Sequence, residues 1–275
     1  GKPIITTIVV FYAAFFAIIP LISFALESFL EVSGDYSTFT LYYWITSEQT
    51  NAYITGSVGI FRNKEIWRAF GNSLLISIIC ALIAGTFGIL VGYGVAKKRG
   101  SRLANYVSNL AFLPYLIPAM SFATIYLIMS YTKALSFLNG SLLLLIVVGS
   151  IKFLPFASKS GTNAMLQLSN EIEEAAIIVG VPWWKRMVRV LFPIQKSSFI
   201  SGYLLPFVSC MRELTLFVLL TGSSTILTAV LQNYEKYDCV QISNGINLII
   251  IVSVLVINLV VNKLTGASID KGVGG

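Results

Sequence analysis

Histidine is absent from this chain of 275 residues, and cysteine occurs only three times, at Cys80, Cys210 and Cys239. Without imidazole the chain lacks the commonest proton shuttle and metal ligand near neutral pH, and a Ser-His-Asp triad is excluded. The cysteines have no metal-type spacing and two fall inside apolar runs, so neither a metal site nor a disulfide framework is expected. A phosphate-binding G-x-x-x-x-G-K-[ST] motif is also missing, and the glycine-rich stretch 85–94 lies inside an apolar run rather than at a strand–helix turn. The chain is therefore not expected to be an enzyme by itself: no catalytic residue, metal ligand set or cofactor site is assigned. An initiator methionine is lacking too, so Gly1 is expected to be a processed, trimmed or excised end.

Charge is the other scarcity. Charged residues make up 11% of the chain, against roughly 25% in soluble domains. What fills the space is apolar: 56% hydrophobic residues and a mean hydropathy of +0.81. These values define an integral, all-α membrane protein. The net charge of +7 would suit nucleic acid, but the basic residues sit in short loops beside apolar runs. They are read as a topology signal, with no nucleic-acid partner.

A spanning helix needs about 20 predominantly apolar residues. Six stretches qualify: 4–26, 66–96, 106–130, 141–159, 199–220 and 242–262. They are expected to form a single transmembrane domain over 1–275. The first is too long for a signal-peptide core. The fourth is the weakest because Lys152 and Pro155 interrupt it. Lys97, Lys98, Arg99 and Arg102 cluster between spans two and three, and Lys159, Lys185, Arg186, Arg189 and Lys196 between four and five. The bases on the other face are diluted by acids. The positive-inside rule then puts both termini and the loop after span four in the cytoplasm. The long first outer loop carries Tyr42, Tyr43, Trp44 and Tyr53, which fits either an interfacial cap or an unstructured loop.

The loop after span four holds an insert, about 169–193. Asn170 with Glu173 three residues on makes a capping-box pattern, and Glu171, Glu173 and Glu174 suit the positive end of a helix. Gly180 suits the position after a helix and Pro182 forbids continuation. This predicts a nine-residue helix. Pro182 then serves as first residue of a second helix to Leu191, ended by Pro193. With small residues at Ala175, Ala176 and Gly180, the pair forms either a rigid cytoplasmic knob or a hairpin lying on the headgroups, anchored by Trp183 and Trp184.

Arg212 and Glu213 fall near the middle of span five. A charge at mid-bilayer costs at least about 2.5–3.5 kcal/mol, so such groups face a bundle interior or a wet cavity. Lys152 on span four is a candidate partner for Glu213. The three either line a translocation path or gate, or form a static buried pair. Ala84, Gly88, Gly92 and Ala96 recur every four residues on span two, a stripe read as helix packing. Pro114, Pro118, Pro155 and Pro206 within spans permit kinks.

The pattern Glu174-Ala175-Ala176, three residues, Gly180, nine residues, Val190, one residue, Phe192-Pro193 resembles the cytoplasmic signature of permeases of binding-protein-dependent ABC importers. Val190 and Phe192 replace the usual Ile and Leu. Asn72-Ser73-Leu74, Leu113-Pro114 and Ile117-Pro118 extend the resemblance over most of the chain. It implies a type I ABC importer permease fold in the inner membrane, with the 171–180 helix, and Glu174, Ala175, Ala176, Gly180 and Pro193 in its signature, docking on an ATPase subunit. It also implies the partners: two ATPase subunits carrying ATP and Mg, a second permease unit (identical or homologous), an extracytoplasmic substrate-binding protein, and membrane lipid. Lys152-Phe153-Leu154-Pro155 and Met211-Arg212-Glu213-Leu214 look most like ferric-iron permeases, with polyamine and 2-aminoethylphosphonate permeases as near relatives. A secondary transporter driven by ion gradients is the rival, but no inverted repeat is visible; a membrane scaffold protein is a second.

Overall fold

A computed structural model describes residues 2–221 and 225–267. These are helical apart from loops and one isolated bridge, Leu30 to Phe39. Four helices are long and apolar enough to cross a membrane unbroken: α1 (Lys2–Glu27), α3 (Lys64–Lys97), α6 (Leu142–Leu166) and α13 (Val240–Thr265). Two bent pairs pass the same test together, α4 (Arg102–Leu116) with α5 (Ala119–Ser130), and α10 (Lys196–Met211) with α11 (Thr215–Thr221). The expected third and fifth stretches fall on these pairs and are not continuous rods.

Both breaks have a local cause. Pro118 donates no N–H and pushes Ile117 into extended backbone (φ −82°, ψ 128°), so α4 and α5 diverge by 98°. The fifth span breaks at Arg212 to Leu214 and turns by 60°. There the carboxylate of Glu213 accepts from Leu216 N at 2.9 Å, a side-chain cap in place of a backbone bond. Pro20, Pro114, Pro155 and Pro206, by contrast, lie inside helices.

Contacts divide the chain into two compact units. The first comprises residues up to 71 together with 223–253. Its core joins Trp44, Ile54, Ile60, Ile66, Leu231, Tyr234 and Ile246. The segment between α1 and α3, expected to be either an interfacial cap or an unstructured loop, is packed. Its short helix α2 (Tyr42–Ile45) buries Trp44, which donates to Ser28 O at 2.9 Å and stacks on Phe29. Within α12 (Leu227–Lys236), the Tyr234 hydroxyl accepts from Asn63 Nδ2 at 2.8 Å. Burial, with the charge of Glu65, pushes that phenol up to about 12. Outside this core, α1 exposes apolar side chains along its length, including Ile5, Val9, Phe11 and Phe16, as a helix surrounded by hydrocarbon or other helices does.

The second unit, 72–222 and 254–275, is organised around α6. The small-residue stripe of α3 lies directly on it: a Cβ at Gly88 would strike Ala157 and Ser158, and one at Gly92 would strike Gly161 and Thr162. Ala84 is fully buried on the same stripe, and Ala96 packs on a second cluster around Met165, Met187 and Phe199. Close backbone approach is what the glycines supply.

Candidate functional site

The insert is a helix–turn–helix. Its first helix, α7 (Asn170–Ile178), has the nine expected residues, but the cap is one position earlier than expected. Ser169 is the N-cap, its Oγ accepting from Glu171 N at 3.3 Å, and Asn170 is the first helical residue. The helix ends in a Schellman turn: Gly180 adopts φ +76°, its N–H reaches Ile177 O at 2.8 Å, and Val181 N reaches Ala176 O at 3.0 Å. Pro182 is the N-cap of α8 (Trp183–Arg186) rather than its first residue.

Pro193 does not end the second helix, contrary to the expectation above. From α8 the chain passes through a π turn, Met187–Leu191, and on through α9 (Phe192–Ile194), stopping only at Gln195. A proline ring collides with the carbonyl four residues back in an α-helix. The wider π turn immediately before Pro193 displaces that carbonyl, which lets the helix continue.

Glu173 is not the reciprocal half of a capping box. Its side chain is 4% exposed and is held from three directions. Tyr93 donates to Oε1 at 2.6 Å, Lys97 Nζ lies 2.6 Å from Oε2, and Arg186 Nε lies 3.6 Å from Oε1. Burial alone would raise its pKa. Hydrogen bonds from Lys97 and Tyr93, with the positive charges of Lys97 and Arg186, outweigh burial and hold the carboxyl below its ordinary value. Lys97 also donates to Asn170 Oδ1 at 3.1 Å, and Arg186 Nη1 to Val181 O at 2.7 Å. The last turn of α3 therefore grips the first turn of α7, and α8 grips its last.

The opposite face of α7 is free of such ties. Glu174 and Ala175 are exposed, Ala176 is half-buried, and Ile178 and Val179 are 84% and 80% exposed. Two highly exposed aliphatic side chains thus lie beside a carboxylate on the face of the knob that points away from Glu173. Sequence reading passed over both Ile178 and Val179. The available signal was an apolar pair at the end of a short helix inside a polar loop.

The membrane charges gather at the two helix breaks. A cavity of about 470 Å³ is lined by Tyr115, Ile117, Pro118, Lys152, Arg212 and Glu213, among others. Lys152 was expected to partner Glu213; the two line the same cavity and Glu213 acts on the ammonium electrostatically, while the hydrogen bonds of Lys152 go to backbone. Its ammonium donates to Pro114 O at 2.8 Å and Ile117 O at 2.6 Å, at the open end of α4, and lies 5.2 Å from the Phe122 ring centre. Cations favour a helix C-terminus and carboxylates an N-terminus. Lys152 and Glu213 thus each close a helix end that a break leaves open. Arg212 is exposed, and among the described residues no hydrogen bond or ion pair of its guanidinium is found.

Four helices long and apolar enough to cross a membrane, two bent pairs that pass the same test together, and an anchored knob after α6 mark a multi-pass α-helical membrane protein. The family described as "Binding-protein-dependent transport system inner membrane component" matches residues 85–269, more than half of the chain and the whole of the insert. The chain belongs to that family. It is 22% identical over 204 residues to a ferric transport system permease protein of Actinobacillus pleuropneumoniae, covering 73% of this chain and 29% of that one. The chain thus spans less than a third of the length of that relative. A protein of Prototheca wickerhamii described as a sulfate transport system permease protein is 26% identical over 214 residues, covering 70% of this chain and 80% of that one. Among solved structures, a bacterial ABC transporter involved in the import of the acidic polysaccharide alginate aligns with a TM-score of 0.67 at 14% identity, over 95% of each chain. The fold is that of type I ABC importer permeases.

Proposed function

We infer that this chain is the permease subunit of an ATP-driven importer and encloses half of a translocation pathway. The observation that carries the reading is the insert: Glu173 anchors α7 to the end of α3, while Glu174, Ile178 and Val179 are left exposed for a partner. Closure of two ATPase subunits on ATP and Mg would push on this knob, and α3 would carry the push into the membrane. A second permease unit would complete the pathway, and an extracytoplasmic binding protein would deliver the cargo. By the positive-inside rule, the basic loops support an insert and termini that face the cytoplasm. Gly180 and Pro193 act here as shape-setting residues, one closing α7 and the other following the π turn.

The cargo we favour is ferric iron, on the resemblance of Lys152-Phe153-Leu154-Pro155 and Met211-Arg212-Glu213-Leu214 and on the similarity to the ferric permease. Sulfate is supported by a relative of comparable identity, and polyamine or phosphonate import remain alternatives. Reconstitution of the complex with its ATPase and binding protein tests the reading. ATP-dependent, vanadate-sensitive uptake that is lost in Glu174→Arg is the expected result. Uptake driven by an ion gradient without ATP would replace the importer by a secondary transporter.

A further inference from the structure

Three ionisable groups line the cavity at the helix breaks, and their charges do not cancel. Lys152 is held by two carbonyl oxygens, lies over an aromatic ring and feels the charge of Glu213. Glu213 accepts from Leu216 N. Even with these two charges set against each other, Arg212 is left over. Arg212, beside them, adds a second positive charge whose guanidinium has no partner among the described residues. The cavity carries two cations against one anion. Each cation was placed by a different need: Lys152 closes α4, whereas Arg212 closes nothing that the structure shows. An arginine presents five N–H donors in a planar fork that matches the paired oxygens of carboxylate, phosphate or sulfate. An ionisable side chain at this depth, without a structural partner and facing a cavity, is a ligand contact by default.

We propose that Arg212 is a transit contact for anionic oxygen, so that the cargo crosses this cavity as a net anion. This rests on the importer reading above and names the charge class of the cargo. Two sources share the chemistry: a free oxyanion, or a metal ion wrapped in a polycarboxylate chelate. A bare multivalent cation would be repelled by the surplus positive charge.

The test reads the field in the cavity directly. In the assembled complex, with Cys80, Cys210 and Cys239 replaced by alanine, Ser209→Cys places a thiol in the cavity wall. Its modification rate is measured with an anionic reagent, 2-sulfonatoethyl methanethiosulfonate, and a cationic one, 2-(trimethylammonium)ethyl methanethiosulfonate. The anionic-to-cationic rate ratio is expected to fall by about tenfold in Arg212→Gln, as removal of one nearby charge at partly screened range implies, and to persist in Arg212→Lys. An unchanged ratio in Arg212→Gln overturns the proposal. So does a thiol that neither reagent reaches, which would mean that the second permease unit covers Arg212. Tracer uptake then separates the sources: sulfate or inorganic phosphate on one arm, ferric citrate on the other, each slowed in Arg212→Gln. Uptake of spermidine, no slower in that variant, also overturns the proposal. If the labelling ratio behaves as expected while no tracer enters on ATP, the importer reading fails and the charge of the cavity stands.

Discussion

Lys97 and Glu173 meet at 2.6 Å, joining the last turn of α3 to the first turn of α7. One residue belongs to an apolar helix long enough to cross a membrane and the other to the knob that follows α6, so on the proposed reading the pair is where a push on the insert would enter the helix bundle. Tyr93 and Arg186 close the remaining directions around the same carboxylate. Removing Glu173 would strand two cations and a phenol at once.

Glu173→Ala is therefore expected to loosen the insert without unfolding the spans. Loss of a buried, charge-assisted hydrogen-bond set costs about 2 kcal/mol, equivalent to about a thirtyfold faster hydrogen exchange for amides 170–180. ATPase co-purification should survive while ATP hydrolysis no longer drives uptake. Unchanged exchange in this variant would remove Glu173 from the coupling route.

The same carboxylate predicts a pH dependence. Its pKa in the folded chain lies below the reference value of 4.5, so its contribution is complete above that value. It is lost as pH falls through the lower folded value. Exchange of amides 170–180, corrected for intrinsic rate, should be flat from about pH 8 to 5 and accelerate below about pH 4. Glu173→Gln should abolish the acid limb.

Glu174→Arg and Gly180→Pro should fail in different ways. Glu174 is exposed, so reversing its charge should leave the exchange pattern intact and abolish ATPase co-purification. Gly180 sits at φ +76° and donates to Ile177 O. Proline has neither that angle nor the donor, so both protection of α7 and co-purification should be lost. Equal behaviour of the two variants would mean that docking does not depend on the exposed face.

Cysteine placed at position 174 should react with a membrane-impermeant maleimide only from the cytoplasmic side. Labelling of intact cells from outside would invert the topology and detach the insert from any ATPase.

Gly88→Val and Gly94→Ala form a matched pair on α3. A side chain at Gly88 meets Ala157 and the backbone of α6, whereas nothing lies within 4 Å of a Cβ at Gly94. Overpacking at a helix contact costs about 1–3 kcal/mol or more. The first variant should accumulate poorly and the second normally, read by membrane-fraction immunoblot. Comparable accumulation would show that α3 and α6 separate freely.

Glu213→Gln retains an oxygen able to accept from Leu216 N; Glu213→Ala does not. Loss of an N-terminal cap costs about 1 kcal/mol. Glu213→Ala should lower the thermal midpoint of the purified complex while Glu213→Gln leaves it in place. Transport defects shared by both variants would then report the charge rather than the cap.

These contrasts show how much was legible in the chain. Local rules carried far: the six apolar stretches, the length of α7, Gly180 at its end, and the packing role of Gly88 and Gly92 follow from windows of a few residues. Proline gave one sharpening and one error. Pro118, read as permitting a kink, opens a break of 98° in a stretch that hydropathy alone reads as continuous, and Pro193 was passed through because a π turn precedes it, which no propensity announces. The remaining surprises are non-local. Glu173 pointed to Asn170 by spacing, yet its partners lie on α3 and α8. Lys152 and Glu213 have opposite charge and do share one cavity and feel each other, but each also binds at an open helix end that only the fold creates.

The π turn at Met187–Leu191 has a consequence of angle. A π turn carries one residue more than an α turn, and each residue advances the helix by about 100°. Everything before it is therefore wound a quarter-turn further than a regular helix to Ile194 would allow. Arg186, just upstream, owes its aim at Glu173 to that surplus residue. Deleting Val188 would restore a regular coil and swing the guanidinium away from Glu173, while leaving every named side chain of the signature in the chain.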